Sequence, residues 1–206
     1  MSYSPSSLVI FDFDGTLYSR DSLLDFCRFY YRKKPYRLRF ILHQLWDFVM
    51  WKFRRITTTE FKNRFIRFIH RDGPEEVQRM AEDFWNTRRP FNTKVLEELR
   101  RFQHPPHCLV VLSASPLPFI LPACRQLGVE EVIATTLTFG PKQYRLGTNC
   151  RGGEKIRRLK ERFSNPHILA AYSDNVDDLP LLEMAENGFV IKRGEIIPIN
   201  AKHAVR

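Results

Sequence analysis

The sequence predicts an α/β protein, a doubly wound and mainly parallel sheet into which a helical cap is inserted, on three observations. Short apolar runs that stop at polar residues recur: Leu8–Phe11, Leu109–Leu112, Val132–Ala134, Ile168–Tyr172 and Phe189–Ile191. Helix-like segments lie between most of them, the pattern of parallel strands buried on both faces. About a hundred residues separate the first run from the second, far more than one crossover requires.

The first run ends in Asp12, and Gly15 then permits a sharp turn. The long intervening stretch reads as successive helices. Leu23, Phe26, Cys27, Tyr30 and Tyr31 keep helical spacing until Pro35, and a more apolar unit runs from Leu38 to Phe53. Thr57 and Glu60 have capping-box spacing ahead of a helix presenting Phe61, Phe65, Phe68 and Ile69. Gly73-Pro74 opens another, with Val77, Met80, Ala81, Phe84 and Trp85 on one face. These segments set the expected division: a core of residues 1–20 and 89–206, and a cap of residues 21–88. A helix from about Thr93 to Phe102 returns to the core, and Leu137–Thr148, centred on Gly140-Pro141, reads as a hairpin. His104 and His107 bracket two prolines and read as a rigid turn, not a metal site.

With 206 residues, 43% hydrophobic and 27% charged, the chain can bury a full α/β core. Its four cysteines are scattered without a C-x-x-C pair, which argues against a zinc site and for reduced thiols. Residues 1–7 lack the basic start of a signal peptide, so the expected location is cytoplasmic. The net charge of +10 is concentrated in the first third, where Asp47 and Glu60 alone oppose thirteen basic residues between Arg28 and Arg71. Such a field suits an anionic partner, and it is equally what a solvated basic face looks like.

Asp12 and Asp14 carry the most chemical information. On an extended chain both point the same way. Paired carboxylates in an apolar setting are costly without a cation or a shared proton, so a metal site with acid–base work accounts for both. Past the ends of other apolar runs stand Ser113 and Asp174, where open parallel sheets bind ligands.

Asp12-Phe-Asp-Gly-Thr16 resembles the first motif of the haloacid dehalogenase-like (HAD) hydrolases. Leu112-Ser-Ala-Ser115 resembles their second, Lys155 in Gly152-Gly-Glu-Lys155 their third, and Ser173-Asp-Asn-Val-Asp-Asp178 their fourth, in the family's order. The resemblance implies a HAD-like Rossmannoid core and a magnesium-dependent phosphomonoester hydrolase. Asp12 would be the nucleophile that forms an aspartyl-phosphate, and Asp14 the acid and then the base. Asp12, the main-chain carbonyl of Asp14 and Asp174 would hold Mg²⁺. Ser113, Ala114 and Lys155 would bind the substrate phosphate, with Lys155 also balancing transition-state charge. Thr16 and Asp178 would support them, Asp178 by orienting Lys155 or a metal-bound water. Pro116 is expected in the first turn of a helix whose N–H groups help to hold the phosphate.

A cap between the first and second motifs is similar to the subfamily IB arrangement of phosphoserine phosphatases. Asp21 falls where those enzymes carry a glutamate, and Ser-Ala-Ser replaces their serine–glycine–glycine; both departures weaken a phosphoserine assignment without excluding it. The apolar Phe40–Trp51 stretch with flanking Arg37, Arg39, Lys52, Arg54 and Arg55 looks like the cap of the phosphatidylglycerophosphatase C group. It suits a helix lying on an anionic membrane surface, and so a lipid-linked or small organic phosphate as substrate; it equally suits a cap burying its own core. A location peripheral to the inner face of the membrane follows from the first alternative. Three other readings remain open: a phosphoserine phosphatase, a phosphotransferase with the same nucleophile, and a non-catalytic basic module that binds membrane or nucleic acid. Nucleic acid is not the expected partner.

Overall fold

The computed structural model describes residues 7–87, 89–129, 131–140, 143–164 and 166–199. The N-terminal segment up to residue 6 and Pro141 of the expected hairpin lie outside them. β1 (Ser7–Phe11) leads into α1 (Ser22–Lys33), α2 (Phe40–Lys52), α3 (Thr58–Phe65) and α4 (Pro74–Trp85), with 3₁₀ turns at Pro35–Arg39 and Ile66–Ile69. Then come α5 (Thr93–Arg101), β2 (His107–Pro116), α6 (Leu117–Gln126), β3 (Glu131–Thr135), β4 (Leu137–Phe139) and β5 (Tyr144–Leu146). α7 (Gly153–Arg162), β6 (Ile168–Ser173), α8 (Leu179–Met184), β7 (Asn187–Lys192) and β8 (Glu195–Pro198) complete the chain.

Six strands form one sheet in the order β3-β2-β1-β6-β7-β8, and β4 pairs with β5 as a separate hairpin. All pairs in the large sheet are parallel except β7–β8. From β1 the chain moves to β2 and β3 on one side, then crosses to β6 and β7 on the other. The crevice outside the carboxyl ends of β1 and β6 is therefore the topological switch point. Every residue of β1 is buried, which explains why its sequence is apolar without alternation.

The expected strands and the hairpin are present, and β8 is an additional one. Arg193 and Gly194, at φ 53° and 84°, form the two-residue turn that folds β8 back on β7. An arginine in that position is not a usual hairpin signal, so the strand was not legible. β2 is longer than expected: it runs through Ser113 to Pro116, with its register against β3 shifted between those two residues. Pro116 consequently caps α6 in an extended conformation, and the first turn is made by Leu117 and Pro118. The expected helix through Phe61 and Ile69 splits into α3 and a 3₁₀ turn where the Phe65 carbonyl accepts a hydrogen bond from Gln44 Nε2 at 2.8 Å.

The capping box forms, with Thr57 and Glu60 each accepting from the other's backbone N–H. α1 and α4 bury aromatic residues against α6. The Phe26 ring lies 4.5 Å from that of Phe119, and Trp85 Nε1 donates to the Phe119 carbonyl at 2.6 Å. Phe13, next to Asp12, packs edge-on to Trp85 at 5.5 Å. The apolar core thus continues from the sheet into these helices and holds them over the carboxyl ends of the strands. α2 does not follow this rule. Its buried residues are Gln44 and Asp47, whereas Leu42, Leu45, Trp46, Phe48 and Val49 are exposed. The alternative in which this stretch serves as the cap's own core fails for that face.

Candidate active site

Asp12 is the first residue beyond β1, and its N–H donates to the Tyr172 carbonyl of β6 at 2.9 Å, which extends the ladder by one bond. The carboxylate is thereby fixed at the switch point. Its Oδ1 accepts from the Phe13 N–H at 2.8 Å and lies 2.9 Å from Lys155 Nζ. Lys155, in the first turn of α7, is fully buried and reaches Asp178 Oδ2 at 2.6 Å. The Ser173 hydroxyl donates to the same Asp178 oxygen at 2.7 Å. Burial draws the Lys155 ammonium downward, but the adjacent Asp12 and Asp178 outweigh it and hold it above its ordinary value, so it stays charged. Burial pushes Asp12 up, and Lys155 opposes that rise.

Asp14 faces a different environment. It accepts from the Ser22 N–H at 2.7 Å through Oδ1 and from the Ser115 hydroxyl through Oδ2. Its pKa is pushed up to about 7, first by burial and then by the charge of Asp21. Asp21 itself is exposed and caps α1, accepting from the Leu24 N–H at 2.9 Å.

Asp174 follows β6, where its N–H donates to buried Thr16 Oγ1 at 3.0 Å. Gly15 has φ +75°, and a Cβ there would stand 2.0 Å from Asp174 Oδ2, so only glycine lets the two loops close on each other. Burial and then the charge of Asp12 raise Asp174 to about 6. On the other side of β1, Ser113 is buried and its Oγ accepts from the Ser115 N–H at 3.0 Å. The Ala114 carbonyl accepts from Lys62 Nζ at 3.0 Å.

Asp12, Asp174, Lys155 and Asp178 are thus gathered on one side, with Ser113, Ala114 and Asp14 beside them at the end of β2. Asp177 is separated from them: it is exposed and paired with Arg151 Nε at 2.7 Å. Three participants were missed. Ser22 and Ser115, 3.0 Å apart through their hydroxyls, hold Asp14. Lys62 crosses from α3 to the end of β2 and also donates to Asn149 Oδ1 at 2.8 Å. Ser115 lay inside a recognised motif and was within reach of sequence reasoning. Lys62 was one of many cap cations, and nothing local distinguished it.

The residues fit a hard divalent cation. Asp12 and Asp174 are two carboxylates whose mutual repulsion a cation would relieve, and the buried Asp178 Oδ1 has no hydrogen-bond partner, leaving it free to accept from a coordinated water. Among the described residues no group of three or more His, Cys, Asp or Glu side chains is arranged to hold a metal. Such an ion would therefore take two carboxylates, a main-chain carbonyl and water, as magnesium commonly does.

A strand-end aspartate beside a buried lysine, with a second carboxyl of raised pKa two residues on, pairs a candidate nucleophile with a candidate acid–base group. The chain belongs to the haloacid dehalogenase-like hydrolase family, whose model matches residues 9–183. It is similar to the protein CicA of Caulobacter vibrioides, at 29% identity over 91% of this chain and 87% of that protein. Among solved structures it resembles a protein of unknown function from Bordetella pertussis Tohama I, with a TM-score of 0.72, 22% identity and 87% of each chain covered. A substrate-bound phosphoserine phosphatase shares the fold with a TM-score of 0.55 at 13% identity, over 88% of this chain and 84% of that one.

Proposed function

We propose that this protein is a magnesium-dependent phosphomonoester hydrolase that works through an aspartyl-phosphate on Asp12. The reading is carried by the contrast between the two carboxyl groups. Asp12 lies 2.9 Å from the Lys155 ammonium, which favours its anion against the rise that burial imposes, whereas Asp14 is bonded by the neutral Ser22 and Ser115 and has a pKa of about 7. One is suited to attack phosphorus and the other to carry a proton at neutral pH. Asp12 Oδ attacks the phosphorus, the ester P–O bond breaks, and protonated Asp14 gives its proton to the leaving alkoxide. Asp14 then takes a proton from water, whose oxygen displaces Asp12 and releases inorganic phosphate. Lys155 and Ser113 bind phosphoryl oxygens, and Asp178 keeps Lys155 oriented. Bound Mg²⁺, held by Asp12, Asp174 and the Asp14 carbonyl, would offset repulsion between the anionic nucleophile and the anionic phosphate.

The likeness in fold to phosphoserine phosphatase supports phosphate-ester chemistry, and the division into a core and a cap over residues 21–88 belongs to the same reading. The substrate we assign is a small organic or lipid-linked phosphomonoester. The test is phosphate release from amino-acid, sugar, nucleotide and lysolipid phosphates, with Mg²⁺ or with EDTA. Turnover should require Mg²⁺ and vanish in Asp12→Asn. Transfer of the phosphoryl group to a second organic product in place of water would instead assign a phosphotransferase. Mg²⁺-independent turnover, or full activity in Asp12→Asn, would overturn the proposal.

A further inference from the structure

α2 is built inside out. Leu42, Leu45, Trp46, Val49 and Phe53 recur at three- and four-residue spacing and form one continuous stripe, the arrangement that normally faces a core. Here the stripe faces outward: Leu42 is 74% exposed, Trp46 64% and Phe53 72%. The opposite face carries the polar residues, and it is the buried one. Gln44 accepts from Tyr31 Oη at 2.8 Å and donates to the Phe65 carbonyl at 2.8 Å. Asp47 is paired with Arg64 at 3.2 Å and Arg67 at 3.5 Å. Turning the helix to hide its apolar stripe would break every one of these contacts and strand two buried polar side chains. The outward orientation is therefore locked from within. No helix among the described residues is long and apolar enough to cross a membrane, so the stripe belongs to a surface.

Both ends of the stripe are cationic. At the amino end a cleft of about 500 Å³ is lined by Arg37, Arg39, His43, Arg67, His70 and Arg71, with no carboxylate in its lining. Arg37 is buried and paired through Nη2 with Asp72, and its Nε and His70 Nε2 are buried without a hydrogen-bond partner. At the carboxyl end a second cleft, of about 530 Å³, is lined by Lys52, Arg54 and Arg55 with Glu60 as its one acid. Apolar side chains between two groups of cations match the layering of an anionic bilayer, acyl chains flanked by phosphate headgroups. A second copy of this chain seated on the stripe would bring like charges together at both ends, on a protein already at +10.

We infer that the outward face of α2, with the two cationic clefts at its ends, is a docking surface for an anionic phospholipid bilayer. α3 connects this surface to the site. The Phe61 ring stacks on Trp51 at 5.2 Å, and the next residue, Lys62, reaches the Ala114 carbonyl. Docking would therefore bring the candidate site, one helix away, close to the lipid surface. The inference uses no residue of the candidate catalytic machinery and stands independently of the hydrolase reading.

The test is co-sedimentation of the full chain with vesicles of phosphatidylcholine alone or mixed with phosphatidylglycerol, at low and high NaCl. Two double variants accompany it: Leu42→Ser with Trp46→Ser, which leaves every charge in place, and Arg39→Glu with Arg71→Glu. The wild type should bind the phosphatidylglycerol vesicles, and bind less at high salt. Each double variant should lose at least about tenfold in affinity with an unchanged thermal midpoint, since all four side chains are exposed. Failure of the wild type to sediment at low salt would overturn the inference. Wild-type binding by the serine variant would also overturn it, since that result means adhesion by charge alone. A concentration-dependent dimer that the serine substitutions dissociate, without vesicle binding, would assign the face to a second copy instead.

Discussion

Replacing Lys155 by methionine keeps much of the side chain's volume and removes its charge, leaving Asp12 and Asp178 facing each other in a site where both are buried. The two contacts measure 2.9 Å and 2.6 Å. At an effective dielectric of about 20, each is a gross attraction of about 6 kcal/mol. Desolvation of the lysine offsets a large part of that sum. Removing one partner of a buried pair then costs about 3–5 kcal/mol, because the remaining charges are left uncompensated. For a chain of this size that lowers the thermal midpoint by roughly 6–20 °C. The assay is thermal or urea unfolding in EDTA near neutral pH. Burial holds Asp12 above its unfolded value, so in the variant the deficit is full at neutral pH and shrinks as falling pH protonates the carboxylate. Adding Asp178→Asn to the methionine variant should recover part of the loss in a double-mutant cycle. A methionine variant as stable as the wild type, with no recovery on the second substitution, would refute the electrostatic account of this cluster.

Gly15→Ala places a methyl group 2.0 Å from Asp174 Oδ2 at a positive φ. It should weaken Mg²⁺ binding by at least about tenfold, read by calorimetric titration, because Asp174 must move away to admit it. The protonated form of Asp14 declines as pH rises through about 7, so kcat/KM for alkyl phosphates should fall above that pH. Aryl phosphates with acidic leaving groups, which need no proton, should lack this limb, and Asp14→Asn should abolish it. Phe84 is fully buried between Phe26 and Trp85, and Phe84→Ala should cost about 3–5 kcal/mol in urea unfolding while leaving the contacts among Asp12, Lys155 and Asp178 in place.

The parts of the molecule that the sequence determined by itself are those in which the deciding physics is local. Unbroken apolar runs can be buried on both faces, and so β1 and β6 sit in the middle of the sheet. Thr57 and Glu60 satisfy each other's backbone across three residues, which fixes the start of α3 wherever it lies. Asp12, Gly15 and Asp174 carry chemistry that an apolar strand end does not tolerate without purpose, so the candidate site was readable before any coordinates. The tertiary structure decided what depends on partners far along the chain. Lys62 differs from the cations around it only because α3 is laid across the end of β2, and Asp14 is held by Ser22 and Ser115 from two separate elements. The rotation of α2 is the clearest instance. Its composition reads as a core helix or as a surface one, and the choice was made by Tyr31, Arg64, Phe65 and Arg67, which bond its two polar side chains from neighbouring segments. Helix periodicity states which residues share a face. Which face turns inward is set by the hydrogen bonds and ion pairs that other segments bring to it.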